Sequence, residues 1–397
     1  METSETEALR ERFTVGVEEE YQLVAPEGGE LRSRGAVVRR ADRSGEVDAE
    51  VKDAMLEIGT PVCRTAAEVA ARLRDRRFQA SAAAASEDLE IVAAAMHPFS
   101  SWRAHFLTDG SRPRMLAGVF RQLLFRQNIW GMHVHVAVPE EHDRAVLMNT
   151  VRTFGPHLLA LSGSSPFESG VDTGYDSYRT VVWRGFPFVG VPPRFDSWEE
   201  YRAFVDLLLR AGTIPDDRTL YWSVRPSARY PTLELRMCDV CPSIDDAVAL
   251  AALGRALVVA TAEGTLEPMG ASLSASLQDE MLRENEWLAA RDGLEATLVN
   301  PEAPGGSTPI RDAIGVLLDQ VAPVAERLDD GEALSHIREI LTRGNAAARM
   351  RRHLEGARTM TALVDWLIEE TRAGTGIDRR ARRREDTDPS ALQMSPS

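Results

Sequence analysis

Three short stretches of this sequence carry polar side chains in pairs two residues apart. They are Glu18 and Glu20 in Val15-Gly-Val-Glu-Glu-Glu-Tyr-Gln-Leu23, His133 and His135 in Trp130-Gly-Met-His-Val-His-Val-Ala-Val138, and Glu234 and Arg236 in Thr232-Leu-Glu-Leu-Arg-Met237. Each stretch is otherwise apolar and reads as a strand, where residues i and i+2 point to the same face. Glu18 and Glu20 then sit roughly 7 Å apart and repel one another. A bound polyvalent cation is the simplest account of that pairing, and an edge strand with a charged face turned to water is the other. A lone histidine on an apolar strand is usually a satisfied core residue, whereas two at this spacing weigh towards ligands. If the three strands share a sheet, one face gathers carboxylate, imidazole and guanidinium. That is a donor set for Mg²⁺ or Mn²⁺ and phosphate rather than for zinc. His133 and Glu234, about a hundred residues apart, are expected to meet at one cation.

The elements around these strands follow from caps and periodicity. Thr65 with Glu68 forms a capping box that predicts a long alanine-rich helix to about Met96. Helical spacing recurs over Arg114 to Arg126, Asp143 to Leu161 and Trp198 to Ala211. Residues 162 to 195 are irregular and long enough to suggest function. Strands are expected at Thr219 to Val224 and Thr232 to Met237. Helices are expected at Ser243 to Ala262, opened by a Ser243–Asp246 box, and at Leu277 to Ala290, Thr308 to Leu328, Glu332 to Leu341 and Thr359 to Thr371. The reading is a flexible N-terminus over 1–12, a single catalytic domain over 13–372, and a disordered tail over 373–397, where mixed charge gives way to Pro, Ser and Thr.

Composition narrows the function. A chain of 397 residues with 44% hydrophobic content can bury a large core, and a net charge of −15 argues against nucleic acid as a partner. No apolar run approaches the ~20 residues of a membrane span. The acidic N-terminus lacks the apolar core of a signal peptide, so a cytoplasmic location is expected. Lys52 is the only lysine among 46 basic residues. A Gly-x-x-x-x-Gly-Lys phosphate loop is therefore excluded, and any phosphate must be held by arginine, histidine, backbone amides or metal. Cys63, Cys238 and Cys241 make no disulfide framework. Cys238-Asp-Val-Cys241 has zinc-like spacing but lacks a second pair to complete four ligands, so two packed thiols are expected.

Taken in order, Gly16-Val-Glu-x-Glu20, Leu56-Glu-Ile-x-Thr-Pro-Val-Cys-Arg-Thr65, Gly131-Met-His-Val-His-Val136, Ser164-Ser-Pro-Phe167, Asp172-Thr-Gly-Tyr-x-Ser-Tyr-Arg-Thr180, Trp222-x-Val-Arg-Pro-Ser227, Leu233-Glu-Leu-Arg236 and Arg283-Glu-Asn-x-Trp287 resemble the type 2 glutamate–cysteine ligases, or carboxylate–amine ligases. That family is similar in fold to glutamine synthetase. The resemblance implies an α+β fold whose mainly antiparallel, curved sheet carries the site and is covered on its other face by helices. It also implies a ligase that uses ATP to activate a carboxylate, typically the γ-carboxylate of glutamate, as an acyl phosphate before an amine such as cysteine displaces the phosphate. By the same resemblance Glu18, Glu20, Glu57, His133 and Glu234, with Glu50 as a sixth, match metal positions for Mg²⁺ or Mn²⁺. His135 and Arg225 match phosphate contacts, and Arg236 and Arg179 match groups near the transferred phosphate or the substrate carboxylate. Small-molecule substrates are the expected partners, with no nucleic acid and no membrane, and a homodimer is left open. A phosphotransferase of the guanidino-kinase type and a binding or regulatory homologue with little turnover are the alternatives. Two departures bear on this. Glu19 breaks the apolar alternation, so that a bulge could rotate Glu18 relative to Glu20, and the two cysteines follow Glu-Leu-Arg without an evident role.

Overall fold

The computed structural model describes residues 2–104 and 106–376. Its centre is a seven-stranded sheet of antiparallel neighbours, to which the strands contribute out of chain order. Strand β1 (Val15–Val24) lies in the middle, between β3 (Met55–Gly59) and β5 (Met132–Ala137), and its C-terminal end also pairs with β4 (Glu90–Val92). Beyond β3 comes β2 (Val47–Ala49). Two short strands, β6 (Phe167–Glu168) and β7 (Val171–Asp172), make a separate hairpin. β8 (Val224–Pro226) and β9 (Thr232–Leu235) close the other side of the main sheet, β9 pairing with β5. A last hairpin joins β10 (Thr297–Val299) to β11 (Ser307–Pro309).

One face of the sheet is packed under helices Ala66–Ala85 and Ile244–Ala262. The second is buried along almost its whole length, and Gly254 is the point of closest approach: a Cβ there would lie 3.2 Å from Leu235 and 3.7 Å from Val134. The opposite face is polar.

The suspected bulge at Glu19 is absent. β1 keeps an unbroken register, Glu18 opposite Gly59, Glu19 opposite Ile58 and Glu20 opposite Glu57, so Glu19 points into the helical layer. There it is fully buried against Arg77 of the Ala66–Ala85 helix, with Nη2 to Oε1 at 2.5 Å and Nε to Oε2 at 2.9 Å, while the Tyr21 hydroxyl donates to Oε2 at 2.5 Å. Arg77 also donates to the carbonyls of Cys241 at 2.8 Å, Pro242 at 2.6 Å and Thr371 at 3.5 Å. Thr371 in turn accepts from Ala93 N at 2.9 Å, next to β4. One guanidinium thus ties the central strand to its own helix and to two distant segments, and its burial is offset by charge pairing and carbonyls.

Several expected elements shift. Residues 2–12, expected to be flexible, form a helix, and its last turn is anchored where Arg255 donates to Arg10 O at 3.2 Å. The alanine-rich helix stops at Ala85, because Asp88 takes φ +55° and Ile91 and Val92 enter β4 beside β1. Residues 35–41 form a further short helix. The Arg114–Arg126 helix begins at Ser111 and breaks at Arg121 (φ +50°), and that over Asp143–Leu161 divides at residues 152–154. The strand expected at Thr219–Val224 begins only at Val224. Ser243 makes no side-chain cap, since Asp246 is drawn away to His336 (2.8 Å) and the guanidinium groups of Arg343 and Arg349. The Glu332–Leu341 helix is two, Gly331–Ser335 and Ile337–Arg343, and Ala346–Ala357 is a further helix that the periodicity did not reveal. Of the expected tail, residues 377–397 lie outside the described residues. No helix of the described residues is long and apolar enough to cross a membrane.

Glu19→Gln is expected to destabilise the fold by about 3–5 kcal/mol in urea denaturation, because Arg77 stays buried without its counter-charge. The pair Glu19→Leu with Arg77→Met is expected to recover part of that loss. A Glu19→Gln cost below about 1 kcal/mol would show that this ion pair is not what holds the layers.

Candidate active site

The register of the sheet assembles the polar cluster. Residues directly opposite one another in an antiparallel pair project to the same face. Across β3, β1 and β5 one row runs Gly59, Glu18, His133, and the row beside it pairs Glu57 with Glu20. A third row runs Gly16, His135, Glu234, Arg225 across β1, β5, β9 and β8. Gly16 and Gly59 keep two places in these rows free of side chains. All three i, i+2 pairs therefore share one sheet and one face, and they line a cavity of about 260 Å³ with Glu50, Glu57, Lys52, Arg112 and Tyr230 among its walls.

Two triads stand out, each with ligand atoms within 4.8 Å of one another: Glu18, Glu57 and His133, and Glu18, His135 and Glu234. His133 Nδ1 is 3.2 Å from Glu18 Oε2, and His135 Nε2 lies 3.5 Å from the same oxygen and 4.0 Å from Glu234 Oε1. His133 and Glu234, expected to meet at one cation, fall in different triads. Their strands are neighbours, and the two triads share Glu18. Glu20 and Glu50 stand outside both triads, Glu20 accepting a hydrogen bond from Gly131 N at 2.5 Å.

The charges constrain one another. Burial and Glu50 push Glu20 up to about 7, and burial with Glu50, Glu18 and Glu20 pushes Glu57 well above the carboxylate range. Burial with nearby Glu18 raises Glu50 as well. Glu18 is instead held low, since the neighbouring imidazoles of His133 and His135 outweigh its burial, and Glu234 is held low because Arg236 and Arg225 outweigh its own. Burial and Arg236 bring His133 down to about 4, which keeps the imidazole neutral near pH 7.

Arg225 is largely committed to the protein: Nε and Nη2 donate to Glu234 at 2.8 and 3.2 Å, and Nη1 to the carbonyls of Leu220 and Arg218 at 2.7 and 2.8 Å. Of its five N–H donors one remains. Arg236 pairs with Glu234 through Nη1 and faces the cavity. Arg179 does not line this cavity. It lies on a smaller one beyond Arg236, donating to the carbonyls of Met237 and Arg236 at 3.2 Å each, and its Nη2 occupies the place a Cβ at Gly131 would take.

One residue went unnoticed in the sequence. Asp239, fully buried between the two cysteines, accepts from Ser164 N (2.9 Å), Ser165 Oγ (2.7 Å) and Ser177 Oγ (2.8 Å), and lies 3.6 Å from Arg179 Nη1. The Cys-x-x-Cys spacing drew attention to the flanking thiols, whereas the aspartate inside it joins the serine motifs to Arg179. Cys238 and Cys241 are free, buried and in neither triad, and burial pushes Cys238 up to about 12. Lys52, singled out only as the sole lysine, is buried at the cavity wall with Nζ donating to Phe125 O at 2.7 Å.

Burial pushes Lys52 down to about 8. Its amine should therefore become nucleophilic as pH rises through 8 rather than through the ~10.4 of a free lysine. Competitive labelling with an amine reagent, followed at the Lys52 peptide from pH 7 to 11, should show that lower midpoint. A midpoint near that of free lysine would contradict its placement.

The family model of glutamate–cysteine ligase family 2 matches residues 14–371. A protein of Paracoccus denitrificans, provisionally named glutamate–cysteine ligase 2, is 38% identical over 375 residues, covering 91% of this chain and 98% of its own. One of the same name from Chloroflexus aggregans is 34% identical over 368 residues, covering 92% and 93%. Among solved structures, a glutamate–cysteine ligase of Francisella tularensis in complex with AMP superposes with a TM-score of 0.64 at 13% identity, over 91% of this chain and 89% of that one. A bifunctional glutathione synthetase of Pasteurella multocida gives 0.69 at 16% identity, over 94% of this chain and 54% of that longer chain. These structural likenesses bear out the antiparallel α+β fold expected from the sequence, and the chain belongs to glutamate–cysteine ligase family 2, a family of ATP-dependent ligases.

Proposed function

We propose that this protein joins the γ-carboxylate of glutamate to an amine, cysteine being the expected one, by way of an acyl phosphate. A carboxylate oxygen attacks the γ-phosphorus of ATP and ADP leaves. The amine nitrogen then attacks the acyl carbon, phosphate departs with the oxygen that linked it, and the nitrogen gives up a proton. The observation that carries this reading is the pair of triads sharing Glu18, set beside Arg225 and Arg236 in one cavity.

The triads fit a divalent cation. Their donors are hard carboxylate oxygens with one imidazole each, and His135 Nε2 is buried without a hydrogen-bond partner, as a nitrogen kept for a ligand would be. Glu18, Glu57 and His133 would hold one Mg²⁺ or Mn²⁺ ion, and Glu18, His135 and Glu234 another, with Glu20 and Glu50 alongside. Bound there, such ions supply Lewis-acid neutralisation of phosphate oxygens. His135 then belongs with the cation ligands more than with direct phosphate contacts. Arg236, with donors free of Glu234, offers its guanidinium to the transferred phosphoryl group, and Arg225 adds charge and one N–H. The AMP in the Francisella relative supports nucleotide use.

Release of ADP and phosphate with glutamate and a panel of amines, with the product read by mass, tests the reaction. Equimolar amide, ADP and phosphate are expected. A phosphorylated guanidino product in place of an amide would favour the kinase reading. Exhaustive EDTA treatment should abolish turnover, and persistence of full activity would sink the cation assignment.

Sharing of Glu18 gives a sharper expectation. Glu18→Gln should weaken Mn²⁺ binding at both positions, whereas Glu57→Gln and Glu234→Gln should each weaken one. Each should cut turnover by about 10² or more while the protein stays folded. Calorimetric Mn²⁺ titration separates these patterns, and equal losses at every position for all three variants would count against two triads.

A further inference from the structure

The carboxylate cavity continues past Arg236. Trp183, Tyr221 and Arg236 wall it on one side and also line the smaller cavity, about 30 Å³, that holds Arg179. Glu286, on helix Ala275–Asp292 and almost wholly buried, also lines the smaller cavity. It occupies the unspecified position of Arg283-Glu-Asn-x-Trp287, a motif to which the ligase chemistry above gives no task.

A buried carboxylate normally gathers several donors. The hydrogen bond found for Glu286 is a long, single-pronged one from Arg184 Nη2, at 3.3 Å, and Arg184 itself is 37% exposed. An ion pair serving only to pin the 184–190 loop to the helix would be expected to close into a shorter, two-pronged geometry. The backbone opposite is also kept clear. Gly190 has φ +73°, and a Cβ there would lie 2.8 Å from Glu286 Oε2. Arg179, on the same cavity, has its buried Nε without a hydrogen-bond partner. A volume of 30 Å³ admits one or two water-sized groups. A carboxylate on a small cavity that shares walls with the larger one carrying the triads suits the ammonium of a substrate whose other end reacts.

We propose that Glu286 is the specificity anchor for the carboxylate donor, accepting hydrogen bonds from its α-ammonium while the chain runs past Arg236 towards the triads. The donor class this selects is an α-amino acid with a distal carboxylate, and a plain dicarboxylate is disfavoured because it leaves Glu286 buried beside an empty place. The assignment rests on the ligase reading for which substrate sits there.

Glutamate and glutarate differ by the α-ammonium alone. Calorimetric binding of each in the presence of ADP and Mg²⁺, on wild type, Glu286→Gln and Glu286→Asp, tests the anchor. The wild type should prefer glutamate by at least about tenfold. Glu286→Gln should bring the two ligands to near parity with Tm unchanged, and Glu286→Asp should retain an intermediate preference. A wild type without preference, a preference that survives in Glu286→Gln, or a fall in Tm with the preference intact would each overturn it, the last revealing a merely structural tie. If instead the preference behaves as expected but no amine yields ADP and amide, the ligase reading falls and the anchor stands.

Discussion

Electrostatic crowding on one face of one sheet governs the rest of this structure. Glu18, Glu20, Glu50, Glu57 and Glu234 line a single cavity, several of them largely removed from water. Carboxylates so placed cannot all ionise without compensation, and the protein supplies only part of it. Arg225 and Arg236 serve Glu234, and the histidines serve Glu18. Glu20, Glu50 and Glu57 are left with raised proton affinity. The imbalance is local, and positive charge brought in from outside would relieve it.

A surface under that strain needs a rigid support, and the packed face supplies one. β1 alternates so strictly that Glu18 and Glu20 face the cavity while Glu19, between them, faces the helices. Glu19 and Arg77 together fix the rotation of the strand about its axis, because turning it by one residue would expose that ion pair and bury the cavity carboxylates. Hydrogen bonds and apolar packing on one side therefore set the geometry of charge on the other.

Much of this was legible in the sequence. Period-two alternation placed each polar pair on one face, and the order of motifs placed the strands in one sheet, because these signals lie within single short segments. What lies between segments was not legible. The partition of His133 and Glu234 into adjoining triads depends on which residues stand opposite across β1, β5 and β9, and register is set by pairing that no single stretch encodes. The end of the alanine-rich helix was missed because Ala93, Ala94 and Ala95 favour helix locally, while β4 is held by its partner β1. Asp239 and the surroundings of Lys52 were hidden for a similar reason, since what matters about each residue is the burial and company that tertiary contacts give it.

The hub at Arg77 also orders events in time. Its partners include the carbonyl of Thr371, 294 residues further along the chain. At a synthesis rate of about 5–20 residues per second, roughly 15 to 60 s pass between the emergence of the two. During that interval the first strand made carries a charged pair meant for a dry interior, with the segments that complete its shell not yet in existence. The nascent protein must keep Glu19 and Arg77 hydrated until the last helix arrives. The support of the sheet is thus begun with its central strand and completed only once Thr371 has been made.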